Sequence, residues 1–253
     1  MRHLIATMFV SASLFSGAVF AEDLHAGDII VSVNNGQFEV GSADSGLHYQ
    51  EGTGYAIFEG DFRDFARGPY ATSNPGFDSP TNSFAPDTII GYQAIGNLWS
   101  WTGDVWTNVV NNGESISVAG AYGETTTWDV NGINGDAFGL IGQAGSTGKI
   151  HSHLDFSISA ASGSPTDGIY FITLQLVELE LQGNQLVLSD NGYLSSNPFY
   201  LVLNNGLSAS DAHHALHDLQ DNLVVAVPEP SAYAMFLAGL GLMGWQLRRR
   251  QQA

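Results

Sequence analysis

Short apolar and β-branched segments recur along most of this chain, and between them stand clusters of Gly, Asn, Asp, Ser and Pro. That punctuation constrains the fold more than any other feature: each cluster supplies a turn, and each segment has the length and composition of a strand. The pattern predicts strands over 28–33, 37–40, 55–59, 88–98, 105–110, 115–121, 125–130, 138–143, 149–160, 168–180, 185–189 and 199–203. Strands joined by turns this short pair with their neighbours. The expected class is therefore all-β, an antiparallel β-sandwich of jelly-roll-like type. Residues 66–86 hold four prolines and no periodicity, which predicts a long surface loop.

One segment breaks the pattern. Within 207–225, Ser208 followed by Asp211 fits a capping box, and Ala212, Leu216, Leu219 and Leu223 fall on one stripe at helical spacing. A single C-terminal amphipathic helix should lie against the sandwich. Its polar side carries His213, His214, His217 and Asp218. His213 and His217 share a face, which suits a solvated surface or a metal.

Both ends of the chain read as targeting segments. Arg2 precedes an apolar stretch from Leu4 through Phe15, and Val19-Phe20-Ala21 places small residues where a signal peptidase cuts, so residues 1–21 are expected to be a cleavable signal peptide. At the other end stand Val227-Pro228-Glu229-Pro230, an apolar run from Ala232 to Leu247, and then Arg248, Arg249 and Arg250. Glycines at 239, 241 and 244 interrupt the run, which is shorter than the ~20 residues that comfortably span a bilayer, so temporary anchoring fits it best. The terminal arginines would hold the tail on the cytoplasmic side. This order of blocks resembles the PEP-CTERM sorting signal of Gram-negative bacteria, a tripartite tag cut by an exosortase near the Pro-Glu-Pro.

The resemblance implies export across the inner membrane of a Gram-negative-type bacterium and transient anchoring through a hydrophobic sorting helix. Residence at the cell surface or outside the cell would follow. Signal peptidase and exosortase are the processing partners it implies, and exopolysaccharide is a candidate partner at the surface. The chain then divides into a signal peptide (1–21), a β-sandwich domain (22–207), an amphipathic helix and linker (208–226) and a sorting tail (227–253).

Setting the two ends aside leaves three basic residues, Arg63, Arg67 and Lys149, against 24 of the 25 acids, a formal charge of −21. Such a surface repels nucleic-acid phosphates and anionic lipid and attracts cations. There is no cysteine, so disulfides and thiolate metal sites are excluded. Any metal must use His, Asp or Glu.

The sharpest chemical signal is His151-Ser152-His153-Leu154-Asp155-Phe156-Ser157-Ile158. In a continuous strand His151, His153 and Asp155 share one face, while Leu154, Phe156 and Ile158 turn to the core. Two imidazoles two residues apart can reach one cation, and they can equally be ordinary polar groups on a wet strand face. A zinc site needs a third protein ligand. His25, just ahead of the first strand, is the leading candidate and His48 the second, with Asp155 either a ligand or an acceptor that orients an imidazole.

Three stretches, Phe138 to Ala144, Ile150 to Ser157 and Asn197 to Leu207, together with Asn74-Pro75-Gly76-Phe77 and the segment from Ile90 to Trp106, are similar to a bacterial family of PEP-CTERM proteins repressed by the zinc-uptake regulator. That resemblance implies a protein made when zinc is scarce, which captures or handles zinc at the cell surface. It carries His151, His153 and His25 over as zinc ligands. The helix histidines match nothing in the family pattern.

Other constellations point elsewhere. Trp99 and Trp101 share a strand face, which suits a stacking platform for sugar rings or a sandwich core, so a polysaccharide-binding matrix protein without a specific metal is the alternative. Asp129 to Asp136 has oxygen ligands and glycines, but Ile133 takes the place where a calcium loop needs Asp or Asn, and a turn is expected. There is no Gly-x-Ser-x-Gly elbow, His-Glu-x-x-His helix or phosphate loop. A binding protein, not an enzyme, is the expectation.

Overall fold

The computed structural model describes residues 27–42, 47–49, 54–63, 67–120, 122–183, 185–190 and 192–222. His25, the signal segment and the sorting tail lie outside them. In chain order the strands are β1 (Ile29–Asn34), β2 (Gln37–Ser42), β3 (His48–Tyr49), β4 (Ala56–Asp61), β5 (Ala71–Thr72), β6 (Phe77–Asp78), β7 (Ile89–Trp101), β8 (Trp106–Thr107) and β9 (Glu114–Ala119). They continue as β10 (Thr125–Asp129), β11 (Gly132–Gly135), β12 (Phe138–Gln143), β13 (His151–Ser152), β14 (Phe156–Ala160), β15 (Gly168–Gln182), β16 (Gln185–Leu188) and β17 (Phe199–Asn205). One helix, α1 (Ala209–Asp221), follows.

These strands form three sheets. The largest runs β12-β7-β15-β17-β4-β3, with β8 paired to β7 and β16 to β15; the others run β13-β6-β1-β2 and β11-β10-β9-β14-β5. β15 from Ile169 to Leu174 and β17 from Phe199 to Leu203 are apolar at nearly every position because both faces are covered. Tyr170, Ile172, Leu174 and Leu176 point into the main core with Phe199, Leu201 and Leu203, and there they meet Ile29, Phe77, Ile116, Trp128 and Phe156 of the two smaller sheets. Ile169, Phe171, Tyr200 and Val202 point the other way, onto Ala215, Leu216 and Leu219 of α1. Strand periodicity thus divides one β-strand between two cores.

The helix begins where its cap signal places it. The Ser208 hydroxyl accepts a hydrogen bond from the Asp211 amide at 3.2 Å and donates to Asp211 Oδ2 at 2.7 Å. Trp106 Nε1 donates to the Ala215 carbonyl at 3.0 Å, tying α1 to β8. Trp99 stacks on Phe171 with ring centroids 5.8 Å apart and an interplanar angle of 8°, and Trp101 and Trp106 are buried in the same cluster. These indoles serve packing beneath α1, the core role of the two that their spacing allows.

Several expectations need correction. Pairing is mixed, because β1 with β6 and β4 with β17 are parallel. The predicted strand over 149–160 is broken: β13 pairs with β6 in one sheet and β14 with β9 and β5 in another, so the chain crosses between sheets at residues 153–155. Nor is the proline-rich stretch a surface loop throughout. It supplies β5 and β6, and Phe77, Asp78, Ser79 and Phe84 are buried. Its amides and carbonyls find partners across the chain, Ile29 N donating to Gly76 O at 2.9 Å and Ser79 N to Ile150 O at 3.1 Å, which lets a segment without periodicity sit inside. The stretch from Asp129 turns as expected, with Asn131 N donating to Asp129 Oδ1 at 2.6 Å.

Candidate metal centre

The smallest strands build the site. β6 lies between β1 and β13, with Ile30 opposite Asp78 on one side and His151 opposite Asp78 on the other. Residues in register on neighbouring strands point the same way, so Asp78 and His151 are neighbours on one face. Asp28, two residues before Ile30, joins them at the start of β1. Phe77 and Ile29 take the opposite, core-facing side and fix the register by their burial.

His151 Nδ1 stands 3.7 Å from Asp78 Oδ2 and 3.9 Å from Asp28 Oδ2. Both carboxylates are buried, with Asp78 1 % and Asp28 4 % exposed, whereas the His151 side chain is 40 % exposed. Gly76 N donates to Asp28 Oδ1 at 3.0 Å and Ser79 N to Asp78 Oδ1 at 2.8 Å. Lys149 Nζ lies 3.5 Å from Asp78 Oδ1. Two buried carboxylates thus stand beside the His151 imidazole, and Asp78 also has the Lys149 ammonium at hand.

His153 enters from the crossover after β13. Its ring centroid is 5.2 Å from that of His151, at an angle of 76°. Nδ1 lies 2.8 Å from the Ser73 carbonyl oxygen, which can only accept, so Nδ1 carries the proton and Nε2 keeps its lone pair for a ligand. The imidazole rests directly on Gly76: a Cβ there would meet His153 ring atoms at 2.5 to 2.8 Å. Glycine at 76 is the cradle for this ring.

Asp28, His151 and His153 each offer a ligand atom, and these atoms lie within 4.8 Å of one another. Ligand atoms around a tetrahedral zinc with bonds of ~2.0 Å stand about 3.3 Å apart, so the three would need shifts of about 1 Å to close onto one ion. The donor set of two imidazoles and a carboxylate suits zinc and its first-row neighbours, and an all-oxygen calcium or magnesium cage is a poorer match.

The structure keeps His151 and His153 together and separates His48 and Asp155 from them, while His25 lies outside the described residues. His48 lies on β3 with Nε2 3.4 Å from Glu59 Oε1, at the edge of the large sheet. Asp155 pairs with Arg67 at 3.1 Å, because the break after His153 removes the strand alternation that would have put it beside the imidazoles. Asp28 and Asp78 were not singled out by sequence. Each follows or precedes an ordinary apolar strand residue, and their meeting depends on a parallel pairing between segments far apart in the chain.

Residues 226–250 match the family model of the PEP-CTERM protein-sorting motif. The chain carries a PEP-CTERM sorting signal. Export, sorting by an exosortase and a destination at the cell surface or outside the cell follow from that motif. No curated protein and no solved structure matches the chain. The PEP-CTERM match covers the tail, outside the described residues, while the candidate metal centre lies wholly in the β domain ahead of it. Among the described residues no helix is long and apolar enough to cross a membrane.

Proposed function

We propose that this exported protein binds zinc at the cell surface through Asp28, His151 and His153. The observation that carries the reading is the convergence of these three ligands within 4.8 Å beside a second buried carboxylate, Asp78. Zinc takes three protein ligands readily, with water or a mobile group in the fourth position. His25, three residues ahead of Asp28 in sequence, is the candidate to close the shell. Partial exposure of His151 gives the ion a route in and out, which suits capture and exchange. Binding, with no catalytic step, is the function proposed. Signal peptidase would free the mature chain after Ala21, and the exosortase would act at the tail.

Competition between the purified protein and a chromophoric zinc chelator tests the reading. One tightly held zinc per chain is expected, and His151→Ala/His153→Ala should lose it while the circular dichroism spectrum is unchanged. Tight zinc retained by the double variant, or absent from the parent protein, removes the proposal.

A further inference from the structure

A second imidazole pair lies on the opposite side of the large sheet. His213 and His217 are one helical turn apart on α1, with ring centroids 4.5 Å apart at an angle of 84°. Both are exposed, so a cation reaches them without desolvating a buried group. The helix beneath them is held in place: Ala215, Leu216 and Leu219 are buried against the large sheet, the Trp106 indole is bonded to the Ala215 carbonyl, and Ser208 caps the first turn. A ligand pair on so anchored a helix is already oriented, which lowers the ordering cost of chelation.

The surroundings add charge of the right sign. His213 lines an open cleft of about 460 Å³ together with His48, Glu59 and Asp61. Asp61 Oδ1 accepts from Arg63 N at 2.7 Å, and Glu59 Oε1 is 3.4 Å from His48 Nε2. These carboxylates draw a divalent cation toward the cleft mouth, and the imidazoles supply nitrogen ligands that copper(II), nickel(II) and zinc(II) favour.

We infer that α1 carries a second, weaker metal site, in which His213 and His217 chelate a late first-row divalent cation at the mouth of the His48/Glu59/Asp61 cleft. Water completes the coordination shell. With two protein ligands and no buried carboxylate, this site exchanges faster than the Asp28/His151/His153 centre and does not depend on it. Because the chelate spans one turn of α1, bound metal also clips the helix, and α1 ends at Asp221, shortly before the sorting motif that begins at residue 226. Metal at this site therefore steadies the last helical turns ahead of the sorting tail.

Copper(II) is the probe, added to the protein carrying His151→Ala/His153→Ala so that the Asp28 centre is disabled. One equivalent should bind with an electron paramagnetic resonance spectrum showing nitrogen ligation, and amide exchange across 213–221 should slow. His217→Gln in that background should weaken binding by at least the roughly tenfold that loss of an outer-shell partner costs at metal sites. His48→Gln should weaken it less. Unchanged affinity in the His217→Gln variant, oxygen-only ligation, or no change in exchange across α1 overturns the inference. Since the Asp28 centre is disabled throughout, failure here is distinct from failure of the zinc reading.

Discussion

The two imidazole pairs look alike in isolation and differ in everything around them. His151 with His153 and His213 with His217 have centroid separations of 5.2 and 4.5 Å, and both pairs meet edge to face. Only the first stands against buried carboxylates, with one ring seated on a glycine and its Nδ1 bonded to the Ser73 carbonyl. The second projects from an exposed helix face beside an open acidic cleft. Spacing in the chain brings two imidazoles together, and tertiary structure decides whether a carboxylate and a fixed tautomer are supplied beside them. The contrast also holds among buried carboxylates. Glu114 accepts from Asn112 N at 2.9 Å, Thr166 N at 3.0 Å and the Thr166 hydroxyl, so neutral donors hold it, whereas Asp28 and Asp78 flank an imidazole.

Asp28→Asn should give the largest effect, because it removes the ligand charge that the helix pair lacks. Zinc affinity at the first centre should fall on the order of a hundredfold by chelator competition, the upper end of what loss of a supporting group costs, with copper binding at α1 unchanged. A similar loss at both sites breaks the comparison.

Glu114→Gln tests the other kind of buried carboxylate. Stability should drop by about 2 kcal/mol in denaturant titrations at pH 7 while zinc affinity is unaltered, since a side-chain amide cannot accept from every donor that now faces the carboxylate. Burial by itself would push this carboxyl up, but the Thr166 hydroxyl and the amides of Asn112 and Thr166 outweigh it and hold it below the ordinary range. A lowered folded-state value means that the contribution is present above the ordinary glutamate range and is lost as pH falls through the folded-state value. The parent protein should therefore lose its advantage over the variant on acidification, a trend read from denaturation midpoints between pH 7 and pH 3.

Gly76→Ala sharpens the difference between a seated ring and a free one. The new methyl displaces the His153 imidazole, and zinc affinity should fall roughly tenfold, with the His213/His217 site unaffected. Smallest of all, Lys149→Met removes the ammonium beside Asp78 and should raise zinc affinity roughly threefold, as expected for a partly screened charge pair.

Sequence made much of the fold readable where periodicity is strong. β12 occupies the expected residues, β7, β15 and β17 extend the expected strands by a few residues, and α1 starts behind the Ser208 cap. What escaped was set by partners distant in the chain. β6 hides in a stretch with four prolines and forms because β1 and β13 flank it on either side. The crossover at 153–155 carries the same alternation of polar and apolar residues as β14, which follows it, and so reads as part of that strand, yet it removes Asp155 from the imidazoles. His151 and His153 were readable from their spacing. Asp28, Asp78 and the seat at Gly76 were not, because a carboxylate at a strand end and a glycine in a loop acquire their roles only once three short strands align.

The most direct measurement is X-ray absorption at the zinc edge of the protein loaded with one equivalent. The proposed centre predicts a first shell of nitrogen and oxygen near 2.0 Å, outer-shell scattering from two imidazoles, and loss of one imidazole in His153→Ala. A first shell of oxygen alone, or a spectrum unchanged in His153→Ala, contradicts it.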